Sequence, residues 1–274
     1  MKKKLLGFSI LIIIMFSSCK KVNNDEQSTN NLNTPQIKSI NVSDTSGYML
    51  TMNTYYYDNL NRLAQITEVV NSPISVTLFY KFEYYPLKVI VKRNILPDTW
   101  ISEKTIYELN SVGLAITSTV MTFTDSNDSL IEMSDTYQYN SDGYLTTQVS
   151  SLFGPSPVVT ASYQVANRNY ESITWTSTAS GSTEKENYSY DAGHINTIGN
   201  VNVGLSFLGK SSYNPMIKAT MDSTQLVTAI YSYQYDSDNR IRQVIINGVA
   251  AGVNGIWYSI PVLMTHQIVS YAYY

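Results

Sequence analysis

The feature that most constrains the fold is a short unit that returns along the chain. Tyr55-Tyr56-Tyr57-Asp58-Asn59-Leu60-Asn61-Arg62-Leu63 is echoed by Tyr137-Gln138-Tyr139-Asn140-Ser141-Asp142-Gly143-Tyr144-Leu145, and again by Tyr233-Gln234-Tyr235-Asp236-Ser237-Asp238-Asn239-Arg240-Ile241. Looser copies are Tyr107-Glu108-Leu109-Asn110-Ser111-Val112-Gly113-Leu114 and Tyr188-Ser189-Tyr190-Asp191-Ala192-Gly193-His194-Ile195. Weaker echoes fall at Tyr84-Tyr85-Pro86-Leu87, between 163 and 170, and at Tyr213-Asn214-Pro215-Met216. The copies recur about every 22–30 residues, the length of one hairpin. Asp or Asn at the first turn position, with Gly or Asn three residues on, suits a type I turn closed by a left-handed residue. Asp58/Asn61, Asn110/Gly113, Asn140/Gly143 and Asp236/Asn239 fit this pattern, and Asp191/Gly193 is one residue short.

The flanks of each turn alternate as strands do. Val227, Ala229, Tyr231, Tyr233 and Tyr235 share one face, with Thr228, Ser232 and Gln234 on the other. A spacing of two dominates over 3.6, so no helix is expected after residue 36. The chain therefore reads as all-β, an antiparallel meander of repeated hairpins. Irregular connections lie between the motif turns, at 71–73, 97–98, 125–128, 153–157 and 179–182. In a meander, alternate turns lie at opposite ends, so the motif turns gather at one end and the irregular loops at the other. Variable loops on a rigid scaffold commonly carry function.

The N-terminus carries a different signal. Lys2, Lys3 and Lys4 precede an apolar run over residues 5–16, followed by Ser17-Ser18-Cys19. A basic start, a short apolar core and small residues before a cleavage point mark a secretory signal. The run is too short to span a bilayer, which takes about 20 residues. Phe16-Ser17-Ser18-Cys19 resembles the bacterial lipobox, with Phe16 where Leu is usual. That resemblance implies cleavage before Cys19 and lipidation of its thiol, which acts as a membrane anchor; two or more acyl chains hold a protein stably. Lys20, not Asp, follows the cysteine, as in lipoproteins sorted to the outer membrane. Residues 19–35 are polar and rich in Asn, Ser and Thr, so they read as the lipidated cysteine and a flexible tether. With residues 1–18 as signal, 36–274 remain as one all-β repeat domain. Cys19 is the only cysteine, so once it is lipidated no thiol is left for a disulfide.

Charge and side-chain chemistry narrow the functional classes. Without the signal lysines, 18 basic residues fall to 15 against 21 acidic ones, a net charge of −6. Nucleic acid is not an expected partner, since a phosphate backbone is met by clustered Lys and Arg. The two histidines, His194 and His266, form no triad or metal-ligand spacing, and no cofactor is expected. Asp125-Ser126-Asn127-Asp128 and Asp236-Ser237-Asp238-Asn239 look faintly like calcium loops but lack the glycine and distant Glu of an EF-hand; turn chemistry accounts for them. Glu83, Glu103, Glu108, Glu132 and Asp135 are the carboxylates weighed as a glycosidase pair, which would need to stand about 5–10 Å apart. No constellation points to an enzyme. The 23 tyrosines, with Trp100, Trp175 and Trp257, are the candidate ligand-binding residues, because aromatic rings suit both strands and binding faces.

The tyrosine–aspartate units look like the YD repeat of Rhs-type surface and toxin-shell proteins, though those arrays are longer and more regular. Lipobox, polar tether and degenerate hairpins together resemble more closely a family of Gram-negative lipoproteins with a single domain of unknown function and a porin-like fold. The resemblance covers about residues 36–274. It implies an open or closed barrel-like sheet and brings no catalytic residues. The expected role is that of a non-catalytic, outer-membrane-anchored binding protein for a glycan or other envelope component. The alternatives are a structural or adhesion component with protein partners, a membrane-embedded barrel, suggested by Ser270-Tyr271-Ala272-Tyr273-Tyr274, and last an enzyme.

Overall fold

The computed structural model describes residues 35–71, 75–97, 101–123, 129–152, 158–223, 227–248 and 266–274. The described residues form sixteen strands. They begin with β1 (Ile37–Ser43), β2 (Met49–Tyr57), β3 (Leu63–Asn71), β4 (Ser75–Tyr85), β5 (Lys88–Leu96) and β6 (Glu103–Leu109). The wall continues through β7 (Ala115–Phe123), β8 (Ser129–Tyr139), β9 (Leu145–Leu152), β10 (Val158–Ala166) and β11 (Asn169–Ser177). It ends with β12 (Thr183–Tyr190), β13 (Met216–Met221), β14 (Val227–Tyr235), β15 (Ile241–Gly248) and β16 (His266–Tyr273). Each strand pairs antiparallel with its neighbours in sequence, and β1 pairs with β16, so the meander closes into a barrel. The closing register sets Ile40 opposite Tyr271 and Val42 opposite Val269.

Strand alternation decides what faces the lumen. On β4, Leu78, Tyr80 and Phe82 are buried while Lys81 and Tyr85 are exposed; on β5, Val89, Val91 and Arg93 are buried. One core cluster joins Ile40, Ile66, Leu78, Val89, Ala219, Val244 and Val269 across the first and last strands, and two smaller clusters centre on Leu145 and on Ile173 in the β9–β11 region. The outer face is mostly polar, with scattered exposed apolar residues such as Ile116, Ile217 and Ile230. Lys81 and Lys92 flank Glu83, and Lys88 meets Glu108. Ser134, Thr136, Gln138, Ser162, Gln164, Ser232 and Gln234 are also exposed.

The two ends differ as the sequence leads one to expect. Turns β2–β3, β4–β5, β6–β7, β8–β9, β10–β11 and β14–β15 lie at one end, the motif end, where β1 begins and β16 finishes. The Asp or Asn that opens each four-residue turn accepts hydrogen bonds from backbone N–H groups two and four residues on. Asp58 takes those of Leu60 and Arg62, Asn110 those of Val112 and Leu114, and Asp236 those of Asp238 and Arg240. The closing residue is left-handed in each, with φ of 59° at Asn61, 83° at Gly113, 84° at Gly143 and 58° at Asn239. Asn and Gly tolerate that conformation.

The tyrosines of the unit join one hairpin to the next. Tyr57 on β2 donates its hydroxyl to the Ile37 carbonyl at the start of β1 (2.7 Å), and Tyr84 on β4 to Leu63 at the start of β3 (2.8 Å). Tyr190 on β12 reaches Tyr170 on β11 (2.6 Å), Tyr233 on β14 reaches Met216 on β13, and Tyr273 on β16 reaches Ile241 on β15 (2.7 Å). Adjacent hairpins have no covalent link at this end, so these bonds fasten it. Each contributes about 0.5–1.5 kcal/mol. The copy at Tyr137 and Tyr139 is the exception, since Tyr137 bonds Ser118 and Asp135 and the buried Tyr139 hydroxyl has no partner among the described residues. Arg62 and Arg240 pair with Asp58 and Asp236 and lie over the rings of Tyr84 and Tyr273, at 4.3 and 5.0 Å.

One looser copy departs from the hairpin pattern. After β12, Asp191 opens a turn, but the chain does not return to the wall until Met216. Residues 191–215, with a 3-10 turn η1 (Ser206–Leu208), cross the motif end as a plug. Ile198, Val203, Leu205, Phe207 and Leu208 pack into the core. The plug's polar atoms bond around the barrel: Asn202 O accepts from Ile37 N (3.0 Å), Lys210 N donates to Gly143 O (2.8 Å), and Ile241 N donates to Thr197 Oγ1 (2.8 Å). Two glycines permit the plug's closest approaches to the wall. A Cβ on Gly204 (φ 76°) would lie 2.7 Å from the Leu63 backbone nitrogen, and one on Gly209 (φ 86°) 2.5 Å from the Tyr139 ring. The echo Tyr213-Asn214-Pro215-Met216 is the end of this plug and not a hairpin turn.

Candidate functional site

Toward the loop end the lumen wall changes character. Its inward positions carry Glu68 on β3, Arg93 on β5, Glu103 on β6, Glu132 and Asp135 on β8, and Glu184 and Glu186 on β12. Strand parity puts Glu68 between inward Ile66 and Val70. On β8, a bulge opposite Val120 and Met121 turns both Glu132 and Asp135 inward, although they stand three positions apart. A single extra residue in one strand reverses the side-chain phase in this way.

These groups are hydrogen-bonded to the wall. Tyr80 donates to Glu68 (2.9 Å), Arg93 pairs with Glu103 (3.0 Å), and Thr122 donates to Glu132 (2.9 Å). Asp135 accepts from Ser118 (2.8 Å), Gln148 (3.1 Å) and Ser150. Glu186 accepts from Tyr188 (2.8 Å) and from Thr228. Burial pushes the carboxyls of Glu68, Glu103 and Glu186 above the ordinary value. Tyr80 and Arg93 at Glu68, Arg93 at Glu103, and Thr228 and Tyr188 at Glu186 only partly offset it. The result is a belt of carboxylates interleaved with hydroxyls and faced by the Arg93 guanidinium. Such groups accept hydrogen bonds from ligand hydroxyl or amine groups and, beside an aromatic face, orient a polar ring.

Trp175 joins this belt. It is 4% exposed, packed with Ala161 and Ile173 and beside Tyr163 and Tyr188, and it stands opposite Glu184 in the β11–β12 pairing. Its ring lies within the wall, not on an open platform. Trp100 and Trp257 lie outside the described residues, between β5 and β6 and between β15 and β16. Cys19, the signal, the tether as far as Thr34, and 125–128 lie outside them as well.

The carboxylates weighed as an acid–base set are divided. Glu83 and Glu108 are outside, paired with lysines, and Glu103, Glu132 and Asp135 are inside. Asp236 spends its oxygens on its own turn and on Arg240. His194 holds Asp191 at 2.6 Å and stacks on Tyr235, 4.1 Å between ring centres, while His266 meets Asn247. Glu68, Arg93, Gln148, Ser150 and Glu186 were not singled out from the sequence. Each is a polar residue in the core phase of its strand, and that is the signal that would have marked it.

The fold and this lumen define a sixteen-stranded up-and-down barrel, plugged at the motif end and lined with carboxylates toward the other. Two solved structures are similar in fold. One is a porin-like protein from Bacteroides uniformis ATCC 8492, with a TM-score of 0.60 and 14% identity over 87% of this chain and 98% of that one. The other is a porin-like protein from Bacteroides vulgatus ATCC 8482, with a TM-score of 0.54 and 10% identity over 88% of this chain and 99% of that one. No family model and no curated protein matches the chain.

Proposed function

We propose that the protein is a non-catalytic lipoprotein, anchored in the outer membrane through Cys19, whose barrel binds a glycan or other envelope component at the loop end. The belt of inward carboxylates and hydroxyls beside Trp175 carries this reading. A hydroxyl-rich ligand donates to Glu103 and Glu132, which are only partly buried, while the plug leaves the motif end to structural duty. The polar outer wall supports anchoring by lipid over insertion of the barrel, because a membrane barrel needs an outward apolar band. The test is a glycan-array screen of the chain from residue 20, followed by calorimetry on each hit. Saturable binding that Glu103→Gln, Trp100→Ala or Trp257→Ala weakens about tenfold, roughly 1.4 kcal/mol, supports the reading. Folded protein that ignores the whole panel defeats its glycan form.

A second reading, a structural component contacting protein partners, rests on Ile95, Leu96, Leu130 and Ile131. These are exposed at the loop end beside residues outside the described set. Cross-linking from positions 96 and 131 in intact cells would then capture one reproducible protein, and substitution of those residues would abolish the product.

A further inference from the structure

The motif turns share one backbone but differ at their tips, and the difference divides the motif end in two. At the third turn position, β8–β9 and β14–β15 carry Asp142 and Asp238, whereas β2–β3 and β6–β7 carry Leu60 and Val112. The intervening β4–β5 turn adds Leu87. Leu60, Leu87 and Val112 are 50%, 55% and 71% exposed, and Tyr56 and Tyr85 on the outer wall just behind them are exposed too. The turn does not need these apolar tips, because the aspartate-tipped copies close with the same bonds. An apolar rim across three adjacent hairpins, which local structure does not require, marks a contact surface.

The course of the chain says what meets it. The described chain enters the barrel at this rim: Gln36 donates to the Asn61 carbonyl of the β2–β3 turn (3.1 Å), and Asn202 of the plug holds the Pro35 carbonyl (2.9 Å). Fifteen residues lie between Cys19 and Pro35, a reach of at most about 55 Å for any chain of that length. An acylated Cys19 therefore keeps the rim at high local concentration next to a bilayer. Tyrosines behind aliphatic tips match the headgroup and acyl levels of a membrane interface. Of the nearby cations, Arg62 pairs with Asp58 (2.7 Å), Lys88 pairs with Glu108 (3.1 Å) and Lys38 lies over the Tyr274 ring (5.5 Å), so the tips themselves offer an apolar contact.

We propose that Leu60, Leu87 and Val112, backed by Tyr56 and Tyr85, form a membrane-contact rim that seats the motif end on the lipid surface and turns the loop end away from it. The proposal rests on the Cys19 anchor.

The test uses the chain from residue 20, which has no cysteine, with an N-terminal hexahistidine on vesicles of phosphatidylethanolamine, phosphatidylglycerol and a nickel-chelating lipid. A polarity-sensitive dye is attached at a single cysteine replacing Leu60, Val112, Asp142 or Asp238. At 60 and 112 the emission shifts to the blue and iodide quenching falls about threefold or more on the vesicles, with or without high salt; at 142 and 238 neither changes. Introducing Leu60→Asp with Leu87→Asp abolishes the protection at 112, and Leu60→Asp reproduces a tip that sister turns already carry. Equal responses at all four sites would overturn the rim, and protection at 60 and 112 without vesicles would replace the bilayer with a second copy of the chain. The mass of the Cys19 peptide from cells reads the anchor separately. An unmodified thiol overturns both anchor and bilayer, whereas an acylated Cys19 with water-exposed dyes overturns the rim alone.

Discussion

The motif half of the barrel and the loop half are built from the same strands but held together by different chemistry. At the motif end, neutral tyrosine hydroxyls bond backbone carbonyls of the neighbouring hairpin, and a plug fits against glycines. In the loop half, tyrosines and hydroxyls bond buried carboxylates instead, as Tyr80 does Glu68 and Tyr188 does Glu186. The first arrangement recurs from hairpin to hairpin and is fixed by shape. The second varies from strand to strand and stores charge at a desolvation cost. Repetition thus marks the scaffold, and departure from it marks where a ligand has something to recognise.

The sharpest way to break this comparison is at the glycines. Gly204→Ala sets a methyl against the Leu63 backbone at a positive φ, and nothing flexible is there to give way. The expected loss is about 3–5 kcal/mol. Gly181, in the β11–β12 loop at the other end, is also left-handed (φ 65°) but has open space around it. Gly181→Ala costs only about 1 kcal/mol. Urea unfolding of the two variants reads both numbers, and equal losses would mean that the plug is not the tighter fit.

Hydroxyl removal comes next. Tyr273→Phe leaves the Ile241 carbonyl without its partner and costs about 1–1.5 kcal/mol at any pH from 5 to 8. Tyr80→Phe removes a bond to a carboxylate and costs more, about 1.5–3 kcal/mol at pH 8. That cost shrinks on acidification, since burial raises the Glu68 carboxyl above its ordinary 4.5. Denaturation midpoints at pH 5 and pH 8 separate the two cases. Identical pH dependence in both variants would erase the distinction between the halves.

Most of the scaffold was legible because its determinants are local. Asp58 and Asn61 show where the chain turns, and parity from that turn puts Tyr55 and Tyr57 on the buried face. Closure was not legible, because the pairing of β1 with β16 joins Ile40 to Tyr271 across nearly the whole chain. The plug was misread as further hairpin copies, since Asp191 does open a turn and Tyr213 imitates the motif. The contrary sign was the length of 191–215, rich in Asn and Gly and much longer than a hairpin loop, although Val201, Val203, Leu205 and Phe207 alternate there as a strand would. In the lumen, parity separates inward Glu103 from outward Glu108, but the β8 bulge defeats the same count for Glu132 and Asp135. Trp175 stood in the core phase with Ile173, which explains why its ring is buried and not displayed.

The smallest expected effect isolates the buried charge itself. Glu186 is fully enclosed, and burial raises its carboxyl above the ordinary 4.5 against the bonds from Thr228 and Tyr188. A carboxyl raised in the folded state binds its proton more tightly there than in the unfolded chain. Stability therefore falls as pH rises from about 4.5 through the raised value, and it recovers on acidification. The turn aspartates act in the opposite sense. At Asp58 and Asp236 burial is outweighed by Arg62 or Arg240 and by backbone N–H groups, so both carboxyls sit below the ordinary 3.8. Their contribution is present above that value and is lost as pH falls through the lowered pKa. From these groups the expected stability maximum lies in mild acid, between the two windows. Glu186→Gln leaves stability at pH 8 unchanged or raised, within about 1 kcal/mol, and flattens the decline from mild acid to pH 8 while leaving the acid limb intact. A large loss at pH 8 would show the Glu186 charge to be structural, and the loop half would then be as firmly built as the motif half.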